Sequence, residues 1–192
     1  KMSLSRIAIL ISGTGTNMEV LLKACASGEL PANVVFVGSD KKTAKGLATA
    51  KNLGAETIYF DYKEGRSAAE KVIADTVKAR GAEWIILAGF MRILSPEFVR
   101  EFSGKIINIH PALLPAFPGA HAILDAWEAG VSVTGVTVHI VDEEVDHGPI
   151  LAQEEVHRLP EDTMETLEER IHRTEHRIYK TALKKFFSEK DQ

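Results

Sequence analysis

Lys105–Gly119 reads KIINIHPALLPAFPG. Ile106, Ile107 and Ile109 are β-branched and apolar, so the stretch opens as a buried strand. Polarity enters at Asn108 and His110, and Pro111, Pro115 and Pro118 then forbid a helix and stiffen the exit. An open α/β sheet places its chemistry where an apolar strand ends in an amide and an imidazole and runs into a rigid loop, at the carboxyl ends of its strands. The plainer alternative is that Asn108 caps a turn and His110 is a satisfied histidine. Their spacing, with Pro111 directly behind, favours function.

Upstream, Arg6–Ile11 (RIAILI) is an apolar run of strand length, the pattern of a central parallel strand covered on both faces. SGTGTN at 12–17 is the turn behind it, and Met18–Ala26 reads as a helix burying Val20, Leu21 and Leu22. Gly13 and Gly15 therefore sit where a strand hands over to a helix, where backbone can approach an anion and free N–H groups can hold it. Met18 occupies the third position of a G-x-G-x-x-G motif, and no Gly-Lys-Ser/Thr follows. A dinucleotide or ATP is disfavoured, and a single phosphate or phosphoribosyl group fits better. A plain tight turn is the alternative.

Strands at 33–37, 56–60 and 84–88 alternate with helices at 42–53 and 67–79, with Gly54 and Gly81 just past the helix ends. This rhythm predicts a parallel sheet with right-handed crossovers. Gly89–Leu94 (GFMRIL) follows the strand at 84–88, and Ser95-Pro96-Glu97 starts a helix. Apolar side chains and free backbone at a strand end suit a flat heteroaromatic ligand, although Phe90 and Leu94 suit core packing equally. After a helix at 120–128 closed by Gly130, VTGVTVHIV at 133–141 alternates, and a further strand spans 150–156. These predict an antiparallel excursion. Thr163–Phe187 is a long amphipathic helix with Leu167, Ile171, Ile178, Leu183 and Phe186 inward, and SEKDQ at 188–192 is expected to fray. The fold class is α/β, a Rossmann-like open sheet, mostly parallel, with an antiparallel C-terminal excursion and a long C-terminal helix.

The 192 residues fit one domain, with 45% hydrophobic and 26% charged residues. A formal net charge of −4 implies no general affinity for nucleic acid, so an anionic ligand needs a local site. The single cysteine, Cys25, excludes an intramolecular disulfide and points to a reducing, cytoplasmic setting. No stretch has the length and apolarity of a membrane span, KMSLS lacks a signal-peptide core, and Lys1 ahead of Met2 is set aside as foreign to the natural chain.

Asp146 lies in EEVDHGPIL beside Glu143, Glu144 and His147. Acidic loops are usually solvated, but amide, imidazole and carboxylate together are the parts for attack by nitrogen or water on a carbonyl carbon. The amide N–H and a charged imidazole stabilise an oxyanion, and the carboxylate moves protons. His172 and His176 have the spacing of a metal pair, yet HRTEH is not H-E-x-x-H and no third ligand is evident, so both read as surface residues and no metal is expected. His139 reads as either a core or a pocket residue. No G-x-S-x-G elbow supports serine-hydrolase chemistry.

ISGTGTN at 11–17, LAGFMRILSP at 87–96, NIHPALLPAFPG at 108–119 and VDHGPI at 145–150 occur in that order. With them the chain resembles the folate-dependent phosphoribosylglycinamide formyltransferases of purine synthesis, from Arg6 to Phe187. The resemblance implies one formyltransferase domain over 1–192, with a phosphoribosyl-substrate half at 6–110 and a folate and catalytic half at 111–187. It implies transfer of a formyl group from 10-formyltetrahydrofolate to the amine of glycinamide ribonucleotide, with Asn108, His110 and Asp146 catalytic. It further implies that Gly15, Thr16 and Asn17 bind the phosphoribosyl substrate and that Glu175 reaches the ribose hydroxyls. Met91, Arg92, Ile93 and Leu94 would line the folate pocket with their backbone, Asn108 would also touch the folate, Val141 and Asp142 through Asp146 would close the pocket, and Arg66 would meet the folate tail. His147 stands where relatives often carry a smaller residue, and Thr14 and Thr16 replace the Asn and Ser of some. The expected partners are these small molecules, with no nucleic acid and no membrane, in a monomer or homodimer.

Other readings use the same residues. A 10-formyltetrahydrofolate hydrolase is expected to need an additional N-terminal regulatory domain, and a methionyl-tRNA formyltransferase a C-terminal RNA-binding domain and a basic face; the expectation is that this chain has neither. A non-catalytic folate-binding module is the reading from another class, and intact Asn108, His110 and Asp146 argue against it.

Overall fold

A computed structural model describes residues 3–190. Lys1, the residue set aside above, lies outside the described residues, as do Asp191 and Gln192 of the expected frayed end. Strand β1 (Ser5–Ile11) leads into α1 (Thr16–Ser27), followed by β2 (Ala32–Ser39), α2 (Lys45–Asn52), β3 (Thr57–Tyr59) and α3 (Arg66–Ala79). Then come β4 (Trp84–Leu87), α4 (Pro96–Glu101), β5 (Ile106–His110), α5 (Ala122–Ala129), β6 (Val133–Ile140), β7 (Ile150–His157) and α6 (Met164–Glu189). The sheet has seven strands in the order β3-β2-β1-β4-β5-β6-β7. Pairing is parallel from β3 through β5, and β5–β6 and β6–β7 are antiparallel.

Successive side chains of a strand point to opposite faces, which explains the apolar run in β1. Ile7, Ile9 and Ile11 pack with Met18, Leu21, Ile171 and Leu183 on one face, whereas Ala8 and Leu10 pack with Ile73, Val77 and Phe98 on the other. Both neighbours of β1 are later strands, β2 on one side and β4 on the other. The order reverses there, and such a switch point leaves a crevice at the strand ends.

Tyr179, fully buried on α6, donates its hydroxyl towards Leu87 O (2.7 Å) and Ile107 O (3.2 Å), clamping the ends of β4 and β5 beneath that crevice. Apolar burial raises its phenol pKa well above the ordinary value. Thr137 of β6 accepts from Leu114 N (3.1 Å) and donates to Ala112 O (2.7 Å), fixing the proline-rich loop behind β5. Gln153 of β7 donates to Leu114 O (2.9 Å).

Several details differ from the sequence reading. α1 begins at Thr16, because Gly15 at φ 69° turns the chain into the helix. Its buried residues include Met18 rather than Val20. α2 begins at Lys45, because residues 41–44 form a turn closed by Ala44 N to Lys41 O (3.1 Å). α5 begins at Ala122. On α6 the residue fully inward is Phe187, and Phe186 instead lays its ring edge-on against Trp84 at 5.0 Å. Ser188 and Glu189 remain helical. Among the described residues no helix is long and apolar enough to cross a membrane.

Candidate active site

A cavity of about 770 Å³ occupies the crevice. Its wall runs from the Ser12–Asn17 turn past Leu87–Leu94 and Asn108–Pro111 to Val141–Asp146, with His172, Glu175 and His176 of α6 at one end.

The turn behind β1 is built by close backbone contact. Gly46 N donates to Gly13 O (3.0 Å), and a Cβ on Gly15 would lie 3.1 Å from Gly46 Cα. A Cβ on Gly46 would strike the Ile11 side chain. No side chain caps α1, so the N–H groups of its first turn have no side-chain partner, and Thr16 and Asn17 of that turn line the cavity. Asn17 Nδ2 reaches Glu175 Oε1 at 3.5 Å, and the same oxygen pairs with His172 Nδ1 at 2.7 Å. Glu175 is buried, yet Asn17 Oδ1 and His176 Nε2, both out of solvent, lack hydrogen-bond partners among the described residues. The Glu175 hydrogen bond raises the His172 pKa, and desolvation lowers that of His176. His172 is exposed, as the sequence reading expects, and His176 is half-buried, and both line the cavity. The face of α6 that carries Ile171 and Ile178 carries Glu175 as well, so the helix aims that carboxylate inward.

Away from the glycine turn, Asn108 and His110 sit on alternate residues of β5, opposite His139 and Thr137 of β6. His110 is buried, its Nε2 2.8 Å from Phe117 O and its Nδ1 3.4 Å from Asp146 Oδ1. Asp146 Oδ2 accepts from Gly119 N at 2.5 Å, and its backbone stands at φ 53°, the left-handed region. His139 is buried and lines the cavity, so it is both the core and the pocket residue the sequence left open. Burial lowers its pKa. Its Nδ1 lies 3.1 Å from Ile140 O and its Nε2 3.4 Å from Asn108 Nδ2, so the neutral ring accepts from the amide and fixes which way it faces.

Ser12, at the start of the glycine turn, donates its Oγ to Asp40 Oδ1 (2.6 Å) and accepts from Met91 N (2.8 Å), tying the segment behind β4 to that turn. Arg92 Nε donates to the other Asp40 oxygen (2.8 Å), and its guanidinium lies 4.4 Å from the Tyr62 ring centre. Met91 and Ile93 remain about 60% exposed at the cavity rim. Val141 and Asp142 also line the wall. Arg66 is the first residue of α3 and stands apart from the lining residues, its charge acting on Tyr62 and Glu97. The sequence alone assigns no role to the Ser12 hydroxyl, Asp40 or Gly46. Nothing local marks Gly46, which lies more than thirty residues from its contacts, whereas Ser12 directly precedes the first glycine of the turn. Among the described residues no group of three or more His, Cys, Asp or Glu could hold a metal ion.

Residues 5–183 match the formyl transferase family. The phosphoribosylglycinamide formyltransferase of Haemophilus influenzae is 42% identical over 185 residues, covering 95% of this chain and 87% of that one. The trifunctional purine biosynthetic protein adenosine-3 of Gallus gallus is 46% identical over 180 residues, which are 93% of this chain but 18% of that protein. This chain thus spans less than a fifth of that relative and most of the bacterial one. The crystal structure of glycinamide ribonucleotide transformylase 1 from Geobacillus kaustophilus superposes with a TM-score of 0.93 at 44% identity, covering 96% of this chain and 99% of that one. Fold, cavity and matched length agree: the chain belongs to the formyl transferase family, among its phosphoribosylglycinamide formyltransferases.

Proposed function

We propose that the cavity transfers the formyl group of 10-formyltetrahydrofolate to the amine of glycinamide ribonucleotide. The observation that carries this is one continuous cavity joining an anion site, the Asn108–His110–Asp146 constellation and an apolar rim. The first turn of α1 with Gly15, Thr16 and Asn17 takes the phosphate, and Glu175 takes the ribose hydroxyls. A cavity of about 770 Å³ is ample for a folate, and the exposed apolar side chains of Met91 and Ile93 fit a flat ring. Met91, Arg92, Ile93 and Leu94 present backbone to it while Asp40 holds the Arg92 side chain aside. Val141 and Asp142 close the opposite wall, and Arg66, outside the cavity, meets the folate tail.

Asn108 and His110 donate to the carbonyl oxygen as the amine nitrogen attacks and a tetrahedral carbon forms. Asp146 accepts the proton that the amine loses. Returned to N10 of the folate, that proton lets the C–N10 bond break, so one C–N bond forms, one breaks and no water is consumed. Pairing with His110 keeps Asp146 aimed at that path. The whole chain serves as one domain. Residues 6–110 supply the phosphoribosyl turn and 111–187 supply Asp146 and the closing wall, with Met91–Leu94 and Glu175 reaching across the division. It acts in the cytoplasm on small molecules without nucleic acid, as a monomer or homodimer.

The test follows release of deformylated folate with and without glycinamide ribonucleotide. Release that requires the ribonucleotide supports transfer. Release without it identifies a hydrolase, and folate binding without release identifies a binding module.

A further inference from the structure

The loop between β6 and β7 concentrates four carboxylates, Asp142, Glu143, Glu144 and Asp146, in five residues. Like charges this close repel and would splay the loop unless each met a cation. Three basic side chains divide them. Arg100 of α4 reaches Glu143 Oε1 at 2.5 Å, and His110 of β5 faces Asp146 at 3.4 Å. His147, on the loop itself, places Nδ1 2.5 Å from Asp142 Oδ2 and 3.5 Å from Glu144 Oε2.

Asp142 is the hub of this arrangement. Its Oδ1 accepts from Glu144 N (2.9 Å) and its Oδ2 from His147, so one carboxylate bridges the loop from 142 to 147. The base is shut separately: Ile140 N donates to Pro149 O (2.9 Å), and a Cβ on Gly148 would strike the Ile140 carbonyl. Asp146 lies inside the bridged segment, in a left-handed conformation that a non-glycine residue adopts only when its surroundings hold it there. The residue directly after it is the one that makes the bridge, and the backbone of His147 also bears on the His139 ring, which sets the Asn108 amide. The His147 side chain is itself largely exposed and lies outside the cavity wall.

We propose that His147 is a positioning residue for formyl transfer: its hydrogen bond to Asp142 closes the 142–147 segment and thereby holds Asp146 against His110 and Gly119. This rests on the reading of Asp146 as the proton carrier. The His147 pKa, raised first by its hydrogen bond to Asp142, agrees with a ring that donates there.

The test compares wild type, His147→Ala and His147→Asn, since the asparagine amide can offer a donor near the place of Nδ1 without the ring. Two quantities are measured, steady-state formyl transfer and amide hydrogen exchange at Gly119, whose N–H is held by Asp146. His147→Ala is expected to lower kcat about tenfold, short of the roughly hundredfold that a 1 Å misplacement brings. Its KM for the ribonucleotide should stay within about twofold, because that site lies at the other end of the cavity. Gly119 exchange should quicken about tenfold, towards the rate of Asp146→Ala, and His147→Asn should restore most of both quantities. Unchanged kcat in His147→Ala, unchanged Gly119 exchange, or an Asn variant no better than the Ala variant would each overturn the proposal. Should the wild type show no ribonucleotide-dependent release, the formyl-transfer reading fails, and the Gly119 exchange still reports whether His147 holds Asp146.

Discussion

At one end of the cavity Gly13, Gly15 and Gly46 lie backbone against backbone; at the other, Asp146 stands in a loop crowded with carboxylates. The glycine end leaves no room for adjustment, since a Cβ at Gly46 meets a buried isoleucine. In the proposed function its ligand-facing groups are main-chain N–H groups at the start of a helix, fixed as soon as the helix forms. The loop end works through side chains, each aimed by another: His139 sets Asn108, Phe117 O and Asp146 set His110, and His147 bridges the segment that carries Asp146. On the proposed function, binding falls to rigid backbone and chemistry to groups whose orientation hangs on hydrogen bonds. Damage at the first end should appear in affinity, and damage at the second in turnover.

The sharpest separation should come from Asn108→Ala. It removes one oxyanion donor and should lower kcat about a hundredfold or more while the protein folds normally, as circular dichroism and steady-state kinetics would show. Gly46→Ala should do the reverse. Its Cβ forces the turn off Ile11, costing about 1–3 kcal/mol in urea unfolding and raising KM for the ribonucleotide, with kcat kept within about threefold. An equal fall in kcat would break the division of labour between the two ends. Tyr179→Phe strips the shared clamp beneath both ends and should cost about 1–2 kcal/mol by urea unfolding, with little effect on either constant.

The smallest effect concerns His172. Glu175 raises its pKa in the folded protein above the unfolded value, so the stability it supplies is complete below the ordinary histidine pKa of about 6.5 and is lost as pH rises through the raised value. With His172 46% exposed, screening holds the pair to less than about 1 kcal/mol. The stability deficit of His172→Gln should therefore be greatest in mildly acidic buffer and shrink in alkaline buffer. A deficit that grew with pH would contradict the pairing.

Residues whose roles are local could be read from the chain. The alternating faces of β1, the proline-stiffened exit of β5 and the Ser95-Pro96 helix start all follow from neighbours in sequence, and Ser95 does accept from Phe98 N at 3.1 Å. The order of Asn108, His110 and Asp146 suggested a constellation, and the sheet supplied the meeting by pairing β5 with β6. What escaped reading depends on distant partners. Tyr179 sits with Ile171 and Ile178 on a stripe that looked merely apolar, and its hydroxyl finds two strand carbonyls. Thr137 and Gln153 look like ordinary strand residues until the proline loop folds over them. His172 and His176 do meet solvent, but nothing in HRTEH says that Glu175 between them turns inward to Asn17 of the glycine turn.

The most direct test of the account is Asp146→Asn. Asparagine tolerates the left-handed conformation at 146 and can still accept from Gly119 N, so the loop keeps its shape while the proton-accepting carboxylate is gone. Binding of glycinamide ribonucleotide and of a folate is measured by calorimetry, and formyl transfer by release of deformylated folate. The account predicts affinities within about threefold of wild type and turnover lowered at least about a hundredfold. Turnover close to wild type would contradict it, because the proton from the attacking amine would then leave by a route that does not use Asp146.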